Sequence, residues 1–410
     1  MSRRIAILGA GPTGLEAALA ASELGLPFTL YESSTKVAGY VRDWGHVRLF
    51  SPWSLDVSAR ARRLLAAAGH EIPDSPTECP TGAQLVERVF APLAALPAIA
   101  PHLRTRTTVL AIGRQGLVKS DEIGTGRRAD RPFRLLVAGP EGEQRVESAD
   151  VVLDCTGTWG HPNALGDGGI PAPGEADLDG DARLVRRIPD LTREAEAWAG
   201  REILVVGSGH SAQTAVRDLA ALAAERPGTR VIWAVRNGEA SWKPDPDDPL
   251  PERARLVREA RDIATAGSPV VSTVFGVVVD RLAPTAPDGR LAVTLRRRDG
   301  ASEPVEVQRI EVDRVLSLTG AVGDAGLYRQ LQVHECYATS GLMKLAAALL
   351  GSAGGDCLDQ ESHGVETLVS PEPGFFVLGS KSYGRNNTFL MRVGWQQVDE
   401  VFELLADSTS

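Results

Sequence analysis

Cysteine is scarce. Only Cys79, Cys155, Cys336 and Cys357 occur in 410 residues, and no two lie within a few positions of each other. That spacing excludes a Cys-x-x-Cys redox pair and a thiolate zinc finger. Four scattered cysteines also argue against a disulfide-stapled secreted scaffold. A basic excess is missing too: 44 Lys and Arg stand against 53 Asp and Glu, a net charge of −9, so the footprint of a nucleic-acid binder is absent. Lysine itself is rare, five against 39 arginines, a bias read as base composition. No apolar run reaches the ~18–20 residues of a membrane span. No His, Cys and carboxylate cluster has metal-ligand spacing. The run Asp245-Pro-Asp247-Asp248 reads as a solvated, proline-interrupted loop, and no metal is expected.

What is present is an ordinary globular composition, 43% hydrophobic and 24% charged, in a chain long enough for two or three domains. The 42 glycines do not recur every third residue, so collagen is excluded. The start, Met1-Ser-Arg-Arg followed by Ile5–Leu8, imitates a signal peptide only until a glycine turn breaks it and Glu16 follows. A cytoplasmic enzyme is the expected class.

The N-terminus reads as strand Ile5–Leu8, turn Gly9–Gly14, helix Leu15–Leu24 and strand Pro27–Tyr31. A helical pattern spans Ser58–Ala68. Thr81 with Gln84 forms a capping box opening a helix that Pro92 should stop near Ala91. Residues 107–148 alternate as an antiparallel ribbon, and Asp150–Cys155 is a buried strand. Gly157–Asp181 reads as a linker or surface loop. A second strand–turn–helix–strand unit follows at Ile203–Val206, Gly207–Gly209, Ser211–Glu225 and Val231–Val235. Ser241–Pro251 reads as a long loop. Val270–Asp280, Leu291–Arg297, Asp313–Leu318 and Phe375–Leu378 are strands, Leu342–Leu350 and Gln396–Leu405 helices. An internal repeat aligns Asp150–Gly157 with Asp313–Gly320, both Asp-x-Val-Leu-x-x-Thr-Gly. Each copy follows one of the glycine turns, which suggests two related nucleotide-binding units. The fold class is therefore α/β, with two Rossmann-like dinucleotide-binding domains, the second inserted in the first.

Gly9-Ala-Gly11-Pro12-Thr13-Gly14 has the dinucleotide fingerprint and its context. The first glycine turns the chain, the second admits a pyrophosphate, and the third lets helix and strand pack. The phosphates then face the helix N-terminus. Glu32 ends the second strand, 23 residues after Gly9. A carboxylate there accepts ribose hydroxyls and repels a 2′-phosphate, which suits FAD or NAD. The second motif, Gly207-Ser208-Gly209-His210-Ser211-Ala212, carries the permitted alanine in third place. Its following strand ends in Arg236, which can pair with a 2′-phosphate and points to NADPH. His210 reads as a phosphate neighbour or a surface group, not a catalyst. Two different dinucleotides in one chain imply hydride transfer from NADPH to a flavin.

Here the sequence resembles the two-dinucleotide-binding-domain flavoproteins, and among them most the flavin-containing monooxygenases and their bacterial relatives. The resemblance spans nearly the whole chain. It rests on Gly9–Gly14 with Glu32, Cys155-Thr156-Gly157-Thr-Trp159, Gly207–Ala212 with Arg236, Leu318-Thr-Gly320 and Phe375-Phe-Val-Leu-Gly379, which Ser380 follows. Val47-Arg48-Leu-Phe-Ser51-Pro52 resembles the segment that lies beside the flavin in that family. The resemblance implies an FAD-dependent monooxygenase that consumes NADPH and molecular oxygen. A flavin hydroperoxide would oxygenate a small nucleophile: an amine, a sulfide, or a carbonyl compound in a Baeyer–Villiger reaction. Arg48, Ser51 and Asn387 are the candidate catalytic side chains. His46 and the polar stretch Lys381–Thr388, with Arg385 and Asn386, are further candidates near the ring.

The chain departs from the family in its linker, which has no Phe between Thr158 and Gly200 and His161 as its only histidine. It also has Ala38-Gly-Tyr-Val41 where the family has Gly-Gly-x-Trp. The related disulfide reductases need a dithiol, absent here, and usually carry Gly-Asp where this chain has Gly379-Ser380. A dithiol-free reductase of a quinone or protein electron carrier, and a non-catalytic nucleotide-binding flavoprotein, are the alternatives. The expected domains are an FAD domain of residues 1–160 and 311–410, a linker of 161–194, and an NAD(P)H domain of 195–310. Little chain remains for a substrate domain, so substrate is expected at the junction. No nucleic acid or membrane partner is expected, and homodimerisation is left open.

Overall fold

The computed structural model describes residues 3–240, 242, 245, 247–287, 289–298, 307–351 and 362–407. The chain divides into two compact units, Met1–His161 with Ala321–Ser410, and Pro162–Gly320.

The N-terminal segment of the first unit supplies β1 (Ile5–Leu8), β2 (Phe28–Tyr31), β3 (Leu103–Arg104), β4 (Thr108–Arg114), β5 (Phe133–Ala138), β6 (Gln144–Ala149) and β7 (Val151–Asp154). The second unit holds β8 (Leu184–Val185), β9 (Glu202–Val206), β10 (Arg230–Val235), β11 (Val271–Phe275), β12 (Val277–Pro284), β13 (Leu291–Arg297), β14 (Val307–Val312) and β15 (Arg314–Ser317). The chain then returns to the first unit with β16 (Glu335–Cys336), β17 (Gly341–Leu342) and β18 (Phe375–Val377).

The first unit is built on a parallel sheet of order β18-β7-β1-β2-β3, with a separate antiparallel sheet β4-β5-β6. The central strands β1 and β7 are buried along their whole length, which is why they read as uninterrupted apolar runs. The helix Pro12–Glu23 buries nine consecutive residues, Thr13 to Ala21, most of them small, and packs against the closing helix Met391–Asp407. The second unit repeats the plan with a parallel sheet β11-β10-β9-β15-β8 and an antiparallel sheet β12-β13-β14. The two copies of the sequence repeat occupy equivalent places. β7 lies beside β1, and β15 beside β9.

Several expectations are corrected. Residues 162–194 are not a linker. They belong to the second unit, with Leu165, Ala172, Leu178 and Leu184 in its core and β8 on its sheet. Buried Glu175 holds this stretch in place by accepting from the amides of Leu165 and Ala172 and from Arg186. Residues 311–320 likewise fall in the second unit. Pro92 does not stop its helix: a π turn over Val86–Phe90 precedes it, and the helix runs on through Ala91–Ala95. A wider turn absorbs the amide that proline lacks. Of the loop expected over Ser241–Pro251, Ser241, Lys243, Pro244 and Pro246 lie outside the described residues; at Pro251 the chain opens an unanticipated helix, Pro251–Thr265, with proline at its first turn. Asp248 is not a solvated carboxylate: it is half-buried, its side chain 8% exposed, and paired with Arg253 at 2.8 Å. The strand expected over Val270–Asp280 is broken at Gly276, and the closing helix begins at Met391 rather than near Gln396. Cys336 is half-buried. Cys357 lies outside the described residues.

Candidate functional site

The first glycine turn sits at the carboxyl end of β1. Gly9 has φ +92°, and a methyl group on it would come within 2.7 Å of the Cys155 carbonyl oxygen. A methyl on Gly14 would lie 1.8 Å from the Gly9 carbonyl oxygen, so helix and turn touch there. Gly11 is different: nothing lies within 4 Å of where its Cβ would be. The turn is thus closed on two sides and open on one. Gly11 is also the N-cap of the helix Pro12–Glu23 and provides no side-chain cap, so the first-turn amides lack that partner. That is the donor set a pyrophosphate requires.

Glu32, buried at the end of β2, accepts from the Ala10 amide at 2.9 Å through Oε2 and from the Ser34 amide at 2.8 Å through Oε1. A carboxylate has about four acceptor positions, so each oxygen retains one for a ribose hydroxyl. Thr13 is not part of the open cradle. Its Oγ1 would be 2.7 Å from a methyl on Gly379 and 2.9 Å from one on Gly394, so it packs the first helix against the last strand and the closing helix.

The ends of β7 and β18 complete this edge. Asp154 is fully buried and accepts from the Thr156 amide at 3.1 Å, the Thr156 hydroxyl at 2.6 Å and Lys381 Nζ at 2.6 Å. Lys381, 3% exposed, also reaches Thr156 Oγ1 at 3.1 Å and lies over the Tyr328 ring. Gly157 follows with φ +72°, its Cβ position 3.8 Å from Ser380 Oγ. The Gly379 amide donates to Gln397 Oε1 at 2.8 Å, and Gln397 Nε2 donates to Ser382 Oγ at 3.0 Å. The loop after β18 is thereby locked onto the closing helix. Cys155 sits between these groups in the strand end. Burial and the neighbouring Asp154 push its thiol well above its ordinary value, so it is an inert core sulfur.

The segment resembling a flavin neighbour follows. Arg48 bridges Thr81 through its backbone and donates its guanidinium to the Cys79 carbonyl. The Ser51 hydroxyl donates to Asp56 Oδ1 at 2.6 Å. Asp56, 2% exposed, was not anticipated. Burial pushes its carboxyl up to about 7, with the Ser51 hydroxyl pulling the other way. Asp56 Oδ2, Trp53 Nε1, His46 Nε2 and the Tyr383 hydroxyl are buried without a hydrogen-bond partner. Asn386 Oδ1 accepts from the Thr388 amide and hydroxyl at 2.9 and 2.8 Å, whereas Asn387 is exposed. A groove of about 430 Å³, bordered by Arg4, Phe28, Tyr31, Arg104 and Glu147, lies on another part of the unit and takes in none of these groups.

The second glycine turn sits at the end of β9. A methyl on Gly207 would fall 2.3 Å from the Leu318 carbonyl oxygen, while Gly209 has nothing within 4 Å. Gly209 is the N-cap of the helix His210–Glu225, without a side-chain cap. Ala212 is fully buried in the place of the third glycine. Ser208 accepts from Gln213 Nε2 at 3.0 Å through its carbonyl, and Ser211 is half-buried in the first turn. His210 occupies the first helical position. Desolvation first, and the Arg253 charge second, lower its pKa, while Asp248 opposes them. Fully buried Trp233, which sequence reasoning passed over, donates its indole N–H to the Gly207 carbonyl at 2.8 Å and stacks on Trp242 at 4.7 Å. Arg236 is exposed at the end of β10. Gly320, with φ +83°, accepts the Asn163 amide at 2.9 Å. Among the described residues no group of three metal-ligating side chains occurs, and no helix is long and apolar enough to cross a membrane.

No protein-family model matches the chain, and no curated protein matches it. Solved structures do. The bacillithiol disulfide reductase Bdr (YpdA) from Bacillus cereus is 17% identical, with all of both chains covered and a TM-score of 0.66. Ornithine hydroxylase PvdA from Pseudomonas aeruginosa is 17% identical, again over both whole chains, with a TM-score of 0.60. A flavin-containing monooxygenase from Stenotrophomonas maltophilia is 16% identical over 100% of this chain and 99% of its own, with a TM-score of 0.53. The chain therefore has the fold of the two-domain flavoproteins, one that serves reductases and oxygenases alike.

Proposed function

We propose that this chain is an FAD-dependent oxidoreductase that consumes NADPH and oxygenates a small nucleophilic organic substrate. The observation that carries the cofactor reading is a difference in charge. Two open glycine turns lead into helices, but the strand beside the first ends in buried Glu32 and the strand beside the second in exposed Arg236. A carboxylate suits the free ribose hydroxyls of FAD, and a guanidinium suits the 2′-phosphate of NADPH.

Bound FAD would supply hydride acceptance and oxygen chemistry. The chain's own residues would do the rest. The amides after Gly11 and Gly209 face pyrophosphates, and Glu32 takes ribose hydroxyls. The Asp154–Lys381 pair fixes Thr156–Gly157 against Ser380 at the strand ends. Asp56, held protonated to near neutrality, is the acid that a developing anion would find nearest Ser51. The overall balance is NADPH, a proton, oxygen and substrate giving NADP⁺, water and oxygenated substrate.

Oxygen is the favoured acceptor because no two cysteines lie near each other in the sequence and Cys155, at the first turn, is buried with a suppressed thiol. A second reading, an NADPH-dependent reductase of a quinone or electron carrier, draws on the likeness to the bacillithiol disulfide reductase fold. Turnover under ¹⁸O₂ with amines, sulfides and ketones separates the two. The oxygenase reading expects label in product and less peroxide than NADPH consumed. Peroxide equal to NADPH for every substrate, with undiminished anaerobic quinone reduction, would establish the reductase.

A further inference from the structure

The second glycine turn carries alanine where the first carries glycine, and it has two buried donors beside it where the first unit has leucines. We propose that Trp233 and Gln213 are positioning residues for the nicotinamide nucleotide: by holding the Gly207 and Ser208 carbonyls inward, they aim the Ser208 and Gly209 amides at its pyrophosphate. This inference rests on the reading that the second turn binds a nicotinamide dinucleotide, and it deepens that reading.

The difference starts at the third position of the motif. In the first turn a methyl on Gly14 would lie 1.8 Å from the Gly9 carbonyl oxygen. Ala212 follows Gly207 by five residues, as Gly14 follows Gly9, and it carries that methyl. The placement of the Gly9 carbonyl is therefore closed to the Gly207 carbonyl. The backbone differs accordingly, with φ +92° at Gly9 and +133° at Gly207. The Gly207 carbonyl instead accepts the Trp233 indole N–H at 2.8 Å. Trp233 pairs with Val205 in β9 as Leu30 pairs with Ile7 in β1, and Val205 and Ile7 each stand two residues before their turn. Leu30, the counterpart, has no N–H to give. The next peptide repeats the device. The Ser208 carbonyl accepts Gln213 Nε2 at 3.0 Å. Gln213, six residues after Gly207, corresponds to Leu15, six after Gly9.

A trans peptide unit is planar, with its C=O and N–H directed oppositely. Trp233 is fully buried and Gln213 is 2% exposed. Both carbonyls thus turn toward the interior, and the amides that follow them, of Ser208 and Gly209, turn away from it. Among the described residues neither amide has a hydrogen-bond partner. Two successive outward N–H groups at the start of a helix form an anion-binding concavity. Trp242 stacks on Trp233, with ring centroids 4.7 Å apart and planes at 8°, and holds the indole in its plane. Gln213 leaves its own Oε1 buried without a partner among the described residues. That lowers stability, as Leu15 in the first unit does not, which marks a residue serving the turn rather than the core.

The test is calorimetric binding of NADP⁺ and NAD⁺ to the purified full-length protein, to its Gln213→Leu and Trp233→Phe variants, and to the double variant Ala212→Gly with Trp233→Phe, each checked by a thermal melt. Gln213→Leu and Trp233→Phe should each weaken both nucleotides by about three- to tenfold, the worth of one hydrogen bond. The ratio of the two affinities should hold, because both nucleotides have the pyrophosphate and Arg236 is untouched. Gln213→Leu should do so without lowering the melting temperature. Adding Ala212→Gly to Trp233→Phe should restore most of the affinity, because the Gly207 carbonyl can then lie as that of Gly9 does, although the packing lost with the indole stays lost. Unchanged affinity in either folded single variant would overturn the proposal for that residue. Weakening that only follows the melting temperature, and that Ala212→Gly fails to restore, would assign both residues to the core and overturn it as a whole. Wild-type protein that binds neither nucleotide would overturn the dinucleotide reading itself.

Discussion

At the scale of single residues, Gly11 and Gly14 have opposite duties although both belong to one motif. Gly14 is packed, and a methyl there meets a backbone oxygen at 1.8 Å. Gly11 is open. Gly14→Ala should therefore lower the melting temperature of the protein whether or not flavin is present. Gly11→Ala should leave the unfolding of flavin-free protein unchanged and abolish the yellow, flavin-bound form. Absorbance of the purified variants at flavin wavelengths and melts of the stripped proteins check both. Asp56 is the other decisive residue. Its carboxyl is raised from 3.8 to about 7 in the folded protein, so the folded state binds this proton more tightly than the unfolded chain. The stability it lends is complete below about pH 3.8, drains as pH rises, and is gone above about 7. Asp56→Asn keeps an acceptor for the Ser51 hydroxyl and has no charge to bury. It should match the wild type at acid pH and exceed it by about 2–4 kcal/mol above neutrality. Urea melts across that range measure it; a pH-independent difference would mean that Asp56 ionises normally.

At the scale of elements, the sequence was legible where local pattern and tertiary role coincide. Both strand–turn–helix units lie where the apolar runs and glycines place them, because strands buried on both faces have no polar positions to confuse the reading. The capping box of Thr81 and Gln84 is formed as expected. What could not be read depends on partners far along the chain. Lys381 looks like one donor among many in a polar stretch, yet it is buried against Asp154, 227 residues away. Asp154 was itself a signal: a carboxylate inside an apolar strand demands a cation. Glu372 is a fuller case. It lies buried between Arg114, 258 residues away, and Arg128, 244 away, at 2.6 and 2.8 Å, and joins β4 to the turn before β18. Arg114 donates to the Arg131 and Pro373 carbonyls, Arg128 to those of Val118 and Asp121, and Glu372 also accepts the Gln332 amide. A segment with two buried guanidiniums reads as solvated until the partner is known. The stretch 162–194 misled for a related reason: its core leucines are irregularly spaced, and a buried glutamate, not a periodic face, organises it.

At the scale of the whole molecule, the discontinuity of the first unit is its most informative property. Its two chain ends meet, since the Val322 amide donates to the His161 carbonyl at 3.0 Å. The second unit closes in the same way, with the Asn163 amide on the Gly320 carbonyl at 2.9 Å and the Thr319 hydroxyl on the Asn163 carbonyl at 2.8 Å. Each unit has its own parallel sheet, and each hydrogen-bonds its own ends. Adjacent termini are what make excision tolerable, because a short connection replaces the missing unit at little cost in chain entropy. Deleting residues 162–320 and joining His161 to Ala321 through a few glycines and serines should therefore give a folded protein. It should bind about one FAD per chain, for Gly11, Glu32, Asp154 and Lys381 are all retained. It should not be reduced by NADPH, because the second glycine turn, with Gly209, and the strand-end Arg236 are gone. Circular dichroism, flavin stoichiometry and anaerobic mixing with NADPH read these outcomes in turn. An excised chain that aggregates would show that the first unit needs the second to fold. One that folds and is still bleached by NADPH at the full-length rate would move the NADPH site out of the second unit altogether.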